Sequence, residues 1–270
     1  MALTAFQQYV CRLLADRRRA QGESYVADGV ALSIALDTQR LSRDLDLFHD
    51  TEEAVARSWD RDRAALEAED CVVTPVRERP GFVEAQVARG ADTLVIEWAR
   101  DSAFRFFPLV EHDMLGLTLH PFGLATNKVL ALIGRLEVRD WIDVIECDAR
   151  LQPLGLLAWA ACGKDPGFTP PGLLAQARRS SHYSEAEVAT LAFEGPAPRA
   201  AELSRQWHAA LEGADAIVAS LPAVHVGEAV MTADARLFRG SADQLQRALA
   251  DDGVRFHAGR LGGALPQVKA

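Results

Sequence analysis

Cysteine is scarce: four residues, at positions 11, 71, 147 and 162, in a chain of 270. No two have Cys-x-x-Cys spacing, which argues against a cysteine-based zinc site and points to reduced, buried thiols. No apolar run approaches the roughly 20 residues that a membrane-spanning helix needs, so no membrane association is expected. A signal-peptide pattern is also lacking, because Arg12 and Arg17-Arg-Arg19 interrupt the short apolar run at 9–14. The expectation is a cytoplasmic protein. Basic residues are outnumbered, 29 Lys and Arg against 38 Asp and Glu, giving a net charge of -9. That excludes nucleic-acid binding driven by bulk charge and leaves only local clusters such as Arg17–Arg19 or Arg178-Arg179 for such contacts. The seven histidines form no His-x-x-x-His pair. No Gly-x-Ser-x-Gly occurs, so Ser180 and Ser181 beside His182 carry no hydrolase signature. No internal repeat is present.

What remains is ordinary globular material, 49% apolar and 25% charged. Residues 4–20 carry a helical stripe of Phe6, Val10, Leu13 and Leu14, ended by Gly22. Residues 25–27 read as a short strand, Asp28-Gly29 as a turn, 30–36 as a helix and 40–48 as one strand. Thr51 is placed to cap a helix reaching residue 69, with Glu52 and Glu53 in its first turn. Strand-like runs follow at 71–76, 82–88 and 93–100, punctuated by Pro80-Gly81 and Arg89-Gly90; 104–110 and 115–119 are weaker strand candidates. Beyond this the pattern turns helical: 124–136, 138–150, 151–161, 173–179, 184–193 and 198–212. In the last 50 or so residues, 234–238 and 241–249 suggest helices and 253–264 a loop; this tail reads as a small appendix or a partner surface. The expected fold class is therefore α+β, with a mixed-sheet domain at 1–120 and a mainly helical domain at 121–270.

The chemistry concentrates in Arg40-Leu-Ser-Arg-Asp-Leu-Asp-Leu-Phe48. On a strand, residues two apart share a face. Arg40, Ser42, Asp44 and Asp46 would line one side, and Leu41, Leu45 and Leu47 the buried side. Two carboxylates so close repel unless a cation neutralises them, and oxygen-only ligands suit Mg²⁺ or Mn²⁺. A solvated edge strand would give the same Asp-Leu-Asp spelling. The preceding strand, Asp28-Gly29 turn and helix would bring backbone N–H groups toward an anion such as a triphosphate. Glu97 interrupts the apolar run 93–98 and is the candidate third carboxylate, with Glu84 as the runner-up. Further along, Lys128 and Arg135 share a helical face, as do Asp140 and Asp143. They suit either phosphate binding or an ion-pair network. Arg17–Arg19 reads as a solvated helix end, and His208 as a surface or satisfied core residue.

In order, Tyr25-Val-Ala-Asp-Gly-Val-Ala-Leu32, the 40–48 segment, Ala125-Thr-Asn-Lys128 and Arg139-Asp-Trp-Ile-Asp143 resemble the AbiEii/AbiGii-type nucleotidyltransferase toxins of the polymerase-β-like nucleotidyltransferase superfamily. The resemblance spans about residues 22–150. It implies a nucleotidyltransferase-like domain at the front of the chain and transfer of a nucleoside monophosphate from an NTP to a hydroxyl of RNA, such as tRNA, or of protein. It also implies a toxin paired with a separately encoded antitoxin. Asp44, Asp46 and Glu97 would hold Mg²⁺ or Mn²⁺ and do the catalysis. Gly29, Ser42, Lys128, Arg139 and Asp143 would form the nucleotide pocket. The pattern departs at Asp28, where the family has glycine, and at Val30, where it has Thr or Ser. Both changes fall in the phosphate-binding turn, which favours a rival expectation, a catalytically degenerate module that binds nucleotide or partner.

Overall fold

The structure is a computed structural model and describes residues 3–42, 44–180 and 182–267. In chain order the elements are α1 (Ala5–Gln21), β1 (Ser24–Ala27), α2 (Asp28–Leu36), β2 (Arg40–Leu41), β3 (Asp44–His49), α3 (Glu52–Glu67), β4 (Val72–Arg79), β5 (Phe82–Arg89) and β6 (Asp92–Arg100). Then come β7 (Phe104–Arg105), β8 (Val110–His112), β9 (Gly116–Thr118), α4 (Pro121–Arg135), α5 (Val138–Arg150), α6 (Leu154–Lys164), α7 (Pro170–Ala177), α8 (Glu185–Val188) and β10 (Ala192–Phe193). The chain ends with α9 (Ala200–Ser220), β11 (Glu228–Thr232), α10 (Ala242–Ala250), β12 (Val254–Ala258) and β13 (Arg260–Leu261). They separate into two compact units, Met1–Ala103 with Leu109–His120, and Phe104–Pro108 with Pro121–Ala270. The fold is α+β, a mixed sheet in the first unit and mainly helices in the second.

The first unit is built on a seven-stranded sheet of order β4-β5-β6-β3-β1-β9-β8. β3 runs parallel to β6 and antiparallel to β1, and β1 runs parallel to β9. Strict alternation makes one face apolar: Leu45 and Leu47 on β3, Leu94, Ile96 and Trp98 on β6, and Val83, Ala85 and Val87 on β5 are all buried. α1 and α3 cover this face; the indole of Trp59 on α3 meets Trp98 edge-on at 4.9 Å. Each covering helix starts at a satisfied cap. Thr4 and Gln7 form a reciprocal capping box on α1, and Thr51 accepts from the Ala54 N–H on α3. Gly22 stops α1 in the left-handed region at φ 65°.

Arg18 departs from the solvated helix end expected for Arg17–Arg19. It is 2% exposed, and its Nη1 donates to the Leu115 carbonyl, while neighbouring Arg19 donates to the carbonyls of His112 and Asp113. These two guanidinium groups fasten the β8–β9 edge to α1. Gly116, at φ 79°, permits the approach, since a Cβ there would lie 2.6 Å from the Ala15 carbonyl oxygen.

The expected single strand 40–48 is two strands. β2 ends at Leu41 and β3 begins at Asp44, so Ser42 sits in the break and Arg43 lies outside the described residues. Ser42 donates to the Asp44 carbonyl (3.4 Å) and its own carbonyl accepts from Gln7 Nε2 (2.9 Å). These bonds engage the backbone there outside any strand ladder. Arg40 and Ser42 therefore do not continue the Asp44–Asp46 face.

In the second unit α6 is apolar all round and packs against α4, α7 and α9. The tail is integral to this unit. β11 and β12 pair antiparallel with α10 between them in the chain, and α10 with that strand pair completes a core of Leu156, Trp159, Ile217, Val230, Phe238 and Leu245. The expected helix at 234–238 is a turn closed by Asp234 and Thr232, and the expected loop at 253–264 contains β12 and β13. The helix expected at 184–193 is only the single turn α8, started by a Ser184–Glu187 capping box. Residues 104–108 belong here because β7 pairs with β13 and Phe106 packs edge-on against Phe122 at 5.0 Å.

α6 passes unusually close to the segment before β11. A Cβ on Gly163 would lie 2.2 Å from the Gly227 carbonyl oxygen, with both partners rigid backbone. Gly163→Ala is expected to destabilise the protein by about 1–3 kcal/mol, the usual cost of overpacking, read as a lower urea midpoint with unchanged slope.

Candidate active site

The face of the sheet opposite α1 and α3 carries a row of acids. Residues opposed in register point to the same side. Asp46 is in register with Glu97, and Glu97 with Glu84 on the next strand. Asp44 lies two positions before Asp46 on β3, on the same face. All four are half-buried. Repulsion is visible in Glu97, whose carboxyl is pushed above the ordinary range by burial first, then by the charges of Glu84, Asp44 and Asp28; Arg77 acts in the opposite direction. Glu84 holds Arg77 in an ion pair at 2.7 Å. Among the described residues, no group of three or more His, Cys, Asp or Glu is gathered in a way that would hold a metal ion. Carboxylate oxygens are the donor type that hard divalent cations take. The acids offer oxygen donors only, and the Arg77 cation sits beside Glu84 at the end of the same row.

The turn from β1 into α2 borders this row, since Ala27 pairs with Asp46. Asp28 adopts φ 60°, the left-handed region that glycine enters freely and that Asp tolerates better than most residues. The Asp28 side chain adds negative charge at this turn. Gly29 is closely approached by side chains. A Cβ there would meet Ser42 Oγ at 2.7 Å and Arg40 Nη2 at 2.9 Å, so the sequence-predicted pair Gly29 and Ser42 touch. Arg40, singled out only as a member of the strand face, is a buried cation at this turn, 6% exposed. Val30 is fully buried. Its position points into the core, so the hydroxyl missing there is not one that would face a phosphate.

The remaining predicted residues lie in the second unit and form their own cluster. Lys128 on α4 pairs with Asp140 at 3.2 Å and Asp143 at 3.0 Å on α5, with all three at most 5% exposed. Arg135 closes the network with two bonds to Asp140, Nε at 3.1 Å and Nη2 at 3.0 Å. Two cations and two anions thus join α4 to α5. Arg139 pairs with Glu137 at 2.6 Å and is part-exposed. Of the two uses that the spacing of Lys128 and Arg135 suggested, the structure displays the ion-pair network. The four cysteines are all buried and free, and His208 is exposed on α9.

No family model matches the chain, and no curated protein does. Solved structures similar to it include a candidate nucleotidyltransferase from H. pylori, at 15% identity over 80% of this chain and 98% of that one, TM-score 0.47. JHP933 from Helicobacter pylori matches at 14% identity over 77% and 91%, TM-score 0.48. A tRNA-processing enzyme in an apo form matches at 15% identity over 82% and 64%, TM-score 0.30.

Two outcomes follow from the charges. Lys128→Met strips a buried ammonium from two buried carboxylates and is expected to cost about 3–5 kcal/mol, measured by chemical denaturation. Glu97 binds its proton more tightly in the folded chain than in the unfolded one. Its contribution to stability is thus full below the unfolded-state pKa and is lost as pH rises through the folded value. Glu97→Gln should flatten that decline in a stability–pH profile and leave the protein more stable than wild type at neutral pH.

Proposed function

We propose that the protein is a metal-dependent nucleotidyltransferase that moves a nucleoside monophosphate from an NTP to a hydroxyl of RNA, such as tRNA, or of protein. The observation that carries this reading is the in-register pair Asp46–Glu97, with Asp44 two residues along, beside the tight Gly29–Ser42 turn. Asp44, Asp46 and Glu97 would hold Mg²⁺ or Mn²⁺, drawing together on the ion rather than offering a preformed cage. The ion, when bound, makes the acceptor hydroxyl more acidic and offsets charge on the departing pyrophosphate. The reaction forms a bond from the acceptor oxygen to the α-phosphorus and breaks the bond from that phosphorus to the bridging oxygen. The hydroxyl proton passes to a carboxylate of the row. The start of α2 would direct backbone N–H groups at the triphosphate, and Gly29 leaves room for Ser42 and Arg40 beside that turn. Lys128 and Asp143 brace the helices of the second unit, with Arg139 nearer the surface. The biological role we propose is that of a toxin restrained by a separately encoded antitoxin.

A second reading, a nucleotidyltransferase-like module that binds nucleotide or partner without turnover, is favoured by one observation. Lys128 is buried and paired with two aspartates, leaving phosphate binding to other groups. One experiment separates the two: incubation with each labelled NTP, Mg²⁺ or Mn²⁺, and bulk tRNA. Transfer of label that falls by at least about 10²-fold in Asp44→Ala/Asp46→Ala, the scale of losing a main catalytic group, is the expected result. Absence of transfer with retained nucleotide binding supports the module instead.

A further inference from the structure

Along β12 the second unit holds a groove whose charge is opposite to that of the chain. Its volume is about 430 Å³, within the range of small-ligand sites. Val254 and Phe256 on β12 turn to the core of the unit, so Arg255 and His257, one position out of step, turn the other way. Arg260 on β13 and the segment 264–267 supply the rim. His257 fixes that rim in place. Its Nε2 donates to the carbonyls of Ala264 at 3.1 Å and Phe106 at 2.7 Å, and its ring stacks on Phe107 at 5.1 Å.

The chain carries a net charge of -9, yet no aspartate or glutamate lines this groove, while Arg255 and Arg260 do. The acids on β11 and the turn after it are engaged elsewhere. Glu228 lies opposite Ala258, on the other face of the strand pair, with its carboxylate at 3.0 Å from His225 Nδ1. Asp234 accepts from Arg236 Nε at 2.6 Å. Arg255 has no such partner. Its Nε is buried and bonds to nothing among the described residues, which costs free energy unless an incoming group accepts from it. Arg260 donates its Nε to the Gly263 carbonyl at 3.0 Å and is otherwise exposed. Two guanidinium groups from successive strands, both with donors to spare, suit a tetrahedral oxyanion that accepts from more than one direction.

We propose that this groove is a second ligand site that takes the phosphate group of a nucleotide or of an RNA strand, with Arg255 as the inner donor and Arg260 at the rim. Leu265, 76% exposed beside them, offers apolar surface to the attached ribose or base. The site uses neither a metal nor the acidic row, so it stands or falls apart from the metal-dependent reading above.

The test is binding to the full chain without divalent metal, at low ionic strength. AMP and adenosine are titrated by calorimetry, and a labelled short single-stranded RNA by fluorescence anisotropy. Arg255→Gln should weaken AMP and RNA binding by about 10- to 100-fold, the scale of a charge-assisted hydrogen bond. Arg260→Gln should weaken it by about two- to fivefold, the scale of an exposed charge. Arg247→Gln, which removes an exposed arginine of α10 outside the groove, should leave it unchanged. AMP bound as tightly as the RNA makes the ligand a mononucleotide; RNA bound more tightly, with a steeper salt dependence, makes it a nucleic-acid backbone. Either result upholds the site. Should Arg255→Gln lower the urea midpoint, the exposed Arg260→Gln carries the comparison. The inference is overturned if neither AMP nor RNA binds saturably, or if Arg247→Gln loses as much as the groove variants. Adenosine bound as tightly as AMP, or an oligoglutamate peptide bound as tightly as the RNA, overturns it as well.

Discussion

The parallel pairing of β3 with β6 is the constraint on which the first unit depends. It joins the β4–β5–β6 meander to the β1 side of the sheet, and its register sets Asp46 beside Glu97. A slip of one residue would invert every side chain on β3, sending Asp44 and Asp46 beneath α1 and α3 and exposing Leu45 and Leu47. The apolar face therefore fixes the acidic one. Burial of Leu45, Leu47, Ile96 and Trp98 outweighs the repulsion gathered opposite them, at roughly 1.5–3 kcal/mol for each large side chain. Burial first, and the neighbouring carboxylates second, raise the Glu97 carboxyl above its ordinary range.

The second unit handles its charges differently. Lys128, Arg135, Asp140 and Asp143 balance in sign and sit between α4 and α5 with their partners at hydrogen-bond distance. A buried network of this kind is worth little more than an apolar contact of the same shape, but removing one member leaves an opposite charge uncompensated. The acids of the sheet are half-buried, whereas Lys128, Asp140 and Asp143 are buried almost completely.

Much of this was legible in the sequence. Alternation at 40–48 gave the buried side of Leu45 and Leu47, and the Thr51 cap with Glu52 and Glu53 gave the start of α3. Asp44 and Asp46 sharing a face follows from a period of two. Other features depend on contacts that no local pattern encodes. The break at Ser42 comes from its bonds to Asp44 and to Gln7, 35 residues away. Arg18 looked like one of three solvated cations until the Leu115 carbonyl met it. β12 had a readable signal in the alternation of Val254, Phe256 and Ala258, masked by the glycines around it. β11 pairs with β12 and also bridges from Met231 to Leu237, contacts that no local pattern marks. The register shift in β4 between Pro75 and Arg77 had no sequence mark beyond Pro75, which removes a ladder donor.

The fastening of β8 and β9 by Arg18 and Arg19 also bears on the order of assembly. The bond from Arg18 to Leu115 joins residues 97 apart, and β1 pairs with β9 across a similar separation. Contacts so remote in the chain close slowly, because the loop entropy is lost before they form. During synthesis α1 and β1 emerge early but wait for about 90 further residues before that edge of the sheet is complete, while the β4–β5–β6 hairpins close locally. The first strand thus spends the longest time with an open edge, the side most exposed to wrong pairing in a nascent chain.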